Sequence, residues 1–226
     1  MIESQRKTEL DYATADDPDY RYKKIAGWYT PNKKWRVNCQ NVTRSTMECL
    51  TLKHAGKDIK SFLVKSNSTL RILEIGAGNR VATALVTSEF IDCIDSLTTT
   101  DILNFDSQYS NIQFDVLNSV EAVKKYGRGV NTLLIIAPYP ADLNDQESCS
   151  DYYACKDFIS QTLTEGKLII FIGELGASDG TCGMYLYLMD NPRLELLSRT
   201  PIHFYKHEML GQVEKELFIF GITPGV

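Results

Sequence analysis

From Leu70 onward, short apolar runs alternate with stretches whose apolar residues recur at helical spacing. The runs cover 70–75, 97–101, 112–115, 131–137, 167–173, 194–199 and 216–222, and each reads as a strand. Helical patterns fall between them at 80–90, 119–126, 152–163 and 183–190. Several of the runs, such as Thr132-Leu133-Leu134-Ile135-Ile136-Ala137, are apolar without interruption, as strands buried on both faces must be. Strands alternating with helices predict an α/β fold: a doubly wound, mostly parallel seven-stranded sheet with helices on both faces. The first 68 residues lack this rhythm. Residues 1–20 are polar and end in Asp16, Asp17 and Asp19, a composition that favours partial disorder. A helical pattern over about 43–64 then leads into the first strand. The chain is therefore expected to divide into an N-terminal extension, 1–68, packed against an α/β domain, 69–226.

Composition narrows the classes. The chain has 226 residues with 43% hydrophobic content, enough for a real core, and no apolar run nears the roughly 18 residues of a membrane span. A net charge of −5 mainly favours solubility. Six scattered cysteines (Cys39, Cys49, Cys93, Cys149, Cys155, Cys182) show no Cys-x-x-Cys pair, which argues against zinc and against a disulfide framework. With a polar stretch at Met1 to Lys7 in place of a secretory signal, reduced thiols in a cytoplasmic setting are expected. His203 and His207 have the spacing of one helix face, but no third ligand accompanies them, so no metal is expected.

The candidate chemistry gathers where the first strand ends. Leu70-Arg71-Ile72-Leu73-Glu74-Ile75 runs into Gly76-Ala77-Gly78-Asn79, and a helix pattern follows at once. Glycines at such a joint let the backbone turn sharply and let a ligand approach without meeting a Cβ. A dinucleotide site needs a third small residue five positions after the first glycine, where Val81 stands, so an NAD-linked oxidoreductase is disfavoured. Two further strands also end in acids, Asp101 about 20 residues beyond the turn and Asp115. Each acid taken alone also suits a helix cap or a turn. Together, three carboxylates are expected at the carboxyl edge of a parallel sheet, where open α/β folds bind ligands.

An acid two residues before Gly-x-Gly resembles the first motif of class I S-adenosylmethionine-dependent methyltransferases. The resemblance covers about residues 68–222 and departs at Asn79, where that family's usual third glycine is expected. Asparagine tolerates left-handed backbone geometry better than most residues. The resemblance implies S-adenosylmethionine as cofactor. It would be bound by Glu74, Gly76, Ala77 and Gly78, by Asp101 and Ile102 at the ribose, by Asp115 and Val116 at the adenine, and by Ala137. Asp115 would accept from the adenine amino group, and the Val116 N–H would meet a ring nitrogen. The ligand's sulfonium and ammonium make nearby carboxylates useful, which a pyrophosphate would not.

The fourth strand ends in Ala137-Pro138-Tyr139-Pro140, a stiff, donor-poor turn. It resembles the fourth motif of amino-group methyltransferases, with Ala137 where an Asn or Asp acceptor usually stands. It also reads as a rigid loop closing the strand. Pro138 and Pro140 are the expected substrate contacts and Tyr139 an expected catalytic residue. Glu174, in the glycine-rich stretch after the fifth strand, is the candidate base or acceptor, although a plain connection fits as well. Asp151, Tyr152 and Tyr153 are candidates to border this pocket, Asp151 suiting a helix N-terminus equally.

Arg21 to Arg36 interleaves cations with Tyr22, Trp28, Tyr29 and Trp35. That pattern suits a nucleic-acid acceptor, while docked aromatics with wet charges fit an acidic chain better. Trp28 or Trp35 is a candidate lid over the donor. The methyl acceptor stays open among nucleic acid, protein and small molecule, with no membrane partner expected. The functional expectation is methyl transfer to a nitrogen or oxygen nucleophile. Its alternative is a non-catalytic binding module on the same fold.

Overall fold

The computed structural model describes residues 46–66, 68–78, 80–102, 112–136, 150–161, 166–173, 182–203 and 214–224. In chain order the elements are α1 (Thr46–Ser66), β1 (Leu70–Ile75), α2 (Val81–Thr87), a 3-10 turn (Ile91–Cys93), β2 (Ile94–Asp101) and β3 (Gln113–Val116). There follow α3 (Ser119–Tyr126), β4 (Thr132–Ile136), α4 (Ser150–Gln161), β5 (Lys167–Gly173), α5 (Cys182–Asp190), β6 (Leu194–His203) and β7 (Glu214–Ile222). One seven-stranded sheet has the order β3-β2-β1-β4-β5-β7-β6. β1 to β5 run parallel, and β7 enters antiparallel between β5 and β6. The expected α/β architecture and mostly parallel sheet are what the chain forms.

Three strands are longer than their apolar runs, β7 by starting at Glu214. β2 starts at Ile94, before the run at 97, because its first turnings carry exposed Asp95 and Ser96. β6 continues through Pro201 to His203. As an edge strand bonded only to β7, it tolerates a residue with no N–H. His203 thus lies on a strand, and His207 falls outside the described residues.

Alternation along the strands splits the core in two. Leu70 and Ile72 of β1, Leu134 and Ile136 of β4, and Ile170 and Ile172 of β5 face α1 and α2. Leu73, Ile75, Leu133, Ile135, Ile169 and Phe171 face α3, α4 and α5. α1 contributes Leu52, Ala55, Ile59 and Leu63, a stripe at three- and four-residue spacing that joins the first cluster. Gly56 lets α1 meet α2, since a Cβ there would lie 2.3 Å from the Val86 carbonyl oxygen. α3 starts on a capping box: Asn118 Oδ1 accepts from Glu121 N at 2.9 Å and Glu121 Oε2 from Asn118 N at 3.3 Å.

At the amino edge of the sheet, cations close the carboxyl ends of helices. Lys167 Nζ donates to Gly127 O after α3 at 2.9 Å, and Arg71 Nε donates to Gly129 O at 2.9 Å. Arg193 Nη1 donates to Ile159 O in the last turn of α4 at 2.8 Å, and the same guanidinium reaches Thr223 O. Helix carbonyls without an intrahelical partner need such donors. Replacing Arg193 with alanine leaves Ile159 O without that donor and should cost about 2 kcal/mol of stability, the scale of a charge-assisted hydrogen bond. Urea unfolding measures it, and an unchanged midpoint would refute the capping role.

Candidate functional site

The carboxyl edge of the sheet is organised by register. Glu74 pairs with Thr99 and Thr99 with Phe114, so these three side chains share the face toward α2. Asp101, two residues after Thr99, lies on that face too. Ile75, Thr100 and Asp115 form the neighbouring row, on the opposite face.

Glu74 is 1% exposed, and its Oε2 has no hydrogen-bond partner among the described residues. Burial pushes its carboxyl up to about 8, and the nearby Asp101 charge adds to the rise. The Thr83 hydroxyl, from α2, offsets part of this without reaching well-formed hydrogen-bond geometry. A carboxylic acid kept neutral by burial, with one unpartnered oxygen, therefore precedes the glycine turn. Burying such a group without compensation is expensive, and an arriving cation would reverse the balance.

The turn itself is bonded to β2. Ala77 N donates to Thr100 O at 3.0 Å and Gly78 N to Asp101 Oδ2 at 2.8 Å. Gly76 and Gly78 have φ of 68° and 55°, and a Cβ on either would meet nothing within 4 Å. The glycines thus serve both a left-handed backbone and an open approach.

Asn79, where a left-handed residue other than glycine would be tolerated, falls outside the described residues. The structure places one at Arg80, φ 62°, the only such non-glycine residue among those described. For a side chain bearing a Cβ this conformation costs roughly 1–2 kcal/mol. Arg80 N donates to Ala77 O at 2.9 Å, and α2 follows directly. Arg80 is 5% exposed, with its guanidinium 4.4 Å from the Phe114 ring centroid. A sequence signal for it existed: a helix opening at Val81 makes Arg80 the N-cap, a position at the edge of helical geometry.

Asp115 corrects the three-acid expectation. Its carboxylate turns to the last turn of α3, where it accepts from Lys125 Nζ at 2.7 Å and from the Tyr126 hydroxyl. These partners hold it below the usual carboxylate range. Glu74 and Asp101 converge; Asp115 does not join them. Its position one residue off the Thr99–Phe114 row was readable from the period of two. Val116 ends β3 at the sheet's free edge and is 54% exposed. Because Leu117 N donates to Asp101 O at 3.0 Å, alternation turns the Val116 N–H away from β2. Ile102 follows Asp101 in a half-buried bend.

Asp151, in the first turn of α4, joins two helix starts. It accepts from Ser119 Oγ of α3 at 2.5 Å and from Ser150 Oγ at 3.4 Å, and burial raises its carboxyl. Tyr152 is buried against Tyr187, while Tyr153 is partly exposed beside it. Ala137, Pro138, Tyr139, Pro140, Glu174 and the Arg21–Arg36 segment lie outside the described residues. Among the described residues, no three His, Cys, Asp or Glu side chains gather as a metal site, and no helix is long and apolar enough to cross a membrane.

No protein-family model and no curated protein matches the sequence. Solved structures do match the fold. The plantazolicin methyltransferase BpumL, in complex with a pentazolic desmethylPZN analog and SAH, superposes with a TM-score of 0.53 at 11% identity, covering 99% of this chain and 100% of that one. Its complex with a monoazolic analog and SAH gives 0.53 at 12% identity, covering 98% of each chain. Its complex with SAH gives 0.51 at 11%, covering 91% of this chain and 99% of that one. The chain has the class I methyltransferase fold.

The raised carboxyl makes a signed prediction. Folded Glu74 keeps its proton up to about pH 8, whereas in the unfolded chain it ionises near 4.5. Stability from this group is complete below 4.5 and falls as pH rises through 8, by about 1.4 kcal/mol per pH unit between. Glu74→Gln removes that slope. Its stability relative to the natural chain should rise by about 3 kcal/mol between pH 5.5 and 7.5, measured by urea unfolding. Parallel pH curves would refute the buried neutral acid.

Proposed function

We propose that this chain binds S-adenosylmethionine over the Gly76–Gly78 turn and transfers its methyl group to a nitrogen or oxygen nucleophile. One observation carries the reading: a buried carboxyl with an unpartnered oxygen precedes a glycine turn at which a Cβ on Gly76 or Gly78 would meet nothing within 4 Å, and whose Gly78 N–H is bonded to Asp101. The fit is chemical as well as spatial. When bound, the donor supplies an electrophilic methyl on a positively charged sulfur, together with an ammonium group. Glu74 receives the cationic end, giving up its proton as the charge arrives. Asp101 keeps one oxygen on Gly78 N–H and offers its remaining acceptor sites to the ribose hydroxyls. Ala77, Ile102, Ala137 and the Val116 N–H complete the nucleoside side, and Asp115 is released from the role first expected of it.

Methyl transfer asks the protein chiefly to align a lone pair with the sulfur–methyl bond. A nucleophile that must lose a proton also needs an acceptor. Tyr139 and Glu174 take those parts in this reading, with Pro138 and Pro140 shaping the acceptor's approach. Residues 69–226 form the donor-binding unit, and 1–68 are its N-terminal extension. A complex of the superposed BpumL with SAH supports the same ligand class here.

Titration calorimetry with S-adenosylmethionine and S-adenosylhomocysteine tests the binding half. The natural chain should bind both. Gly78→Arg, which fills the open space at a φ of 55°, should abolish binding. Asp101→Ala should weaken it about tenfold or more, the loss of one charge-assisted hydrogen bond. No heat from the natural chain would refute the reading. Binding without label release from methyl-labelled donor, across protein, RNA and small-molecule acceptors, would leave a binding module in its place.

A further inference from the structure

Arg80 is an unusual residue for a ligand turn. It is long, charged and almost fully buried, yet it holds the left-handed conformation that glycine adopts freely. It caps no helix amide with its side chain. Instead that side chain leaves the turn after β1 and reaches the Phe114 ring on β3, with β2 lying between those strands. Beneath its path runs the row Glu74–Thr99–Phe114. A guanidinium held over an aromatic face in a buried setting is a strong contact. Its backbone meanwhile closes the turn on Ala77 O and accepts Ala84 N at 3.0 Å, starting α2. One residue therefore joins the glycine turn, the helix start and the edge strand.

We infer that Arg80 is a positioning residue that fixes the glycine turn to β3 across β2, setting the width of the nucleoside end of the donor pocket. The inference rests on the donor reading above and assigns a role to a residue that would not touch the donor itself. The strained backbone fits this role. A left-handed arginine persists only where its surroundings over-determine it, and the Phe114 ring under its guanidinium is one of the contacts that do so here. With the turn tied at both ends, by Asp101 to β2 and by Arg80 to β3, the slot is shaped before any ligand arrives.

The test uses the full chain with Arg80→Gly, Phe114→Leu and the double variant. Glycine relieves the backbone strain, so Arg80→Gly should keep its melting temperature within a few degrees of the natural chain. In the unliganded protein, hydrogen exchange at the Gly78 and Val81 amides should quicken about tenfold or more in both single variants. Affinity for S-adenosylhomocysteine and for 5′-methylthioadenosine, which lacks the amino-acid portion, should fall by the same factor of about ten. The double variant should be no weaker than either single one. Arg80→Lys, which keeps the charge without the plane, should recover only part of the loss. Unchanged exchange in Arg80→Gly, or natural affinities alongside a lowered melting temperature, would overturn the positioning role. A natural chain that binds neither probe would sink the donor reading, while the exchange measurement would still decide whether Arg80 holds the turn.

Discussion

A β-strand sends successive side chains to opposite faces, and this alternation governs the whole molecule. It divides the core into a half against α1 and α2 and a half against α3 to α5. It also decides which of the polar residues at the carboxyl edge can meet. Glu74 and Asp101 fall on the α2 face with Phe114 and Arg80, whereas Asp115 falls on the other and is claimed by Lys125 and Tyr126. A shift of one residue in the β2–β3 register would exchange Phe114 for Asp115 and dismantle both arrangements.

The fold was largely legible because a parallel sheet covered on both faces leaves a coarse trace. Runs such as Leu133 to Ile136 and Leu168 to Ile172 are apolar on every position, and few other elements are. The site was legible only in part. Glu74, Gly76, Gly78 and Asp101 stood out because local rules apply to them: a glycine turn, an acid before it, an acid ending the next strand. Asp115 misled because it satisfies the rule for position along a strand while failing the rule for face. Arg80 was missed for the converse reason. Its N-cap position before Val81 is a weak local signal that does not fix a left-handed backbone, and its partner Phe114 lies two strands away in the sheet. β6 outran its apolar run because Pro201 is a breaker only where its N–H is needed.

Charge state adds a second layer to the geometry. A carboxyl held neutral by burial costs the free protein less than an ionised one would, yet it remains ready to ionise beside a cation. A positive charge brought next to Glu74 would therefore favour release of its proton, while a neutral group there would leave it protonated. Asp101 is the complementary case: half-buried, it is bonded to a backbone amide and oriented before use. The edge thus pairs a carboxyl that burial keeps protonated with one that a backbone amide holds in place.

The opposite edge carries a consequence of its own. There Arg71, Lys167 and Arg193 anchor carbonyls near helix ends, so the foundations of the barrel-less sheet are cationic, while the upper rim is furnished with acids. Foundations and rim are separated by the length of the strands and share no side chain. Substitutions at one edge therefore remove no side-chain bond at the other.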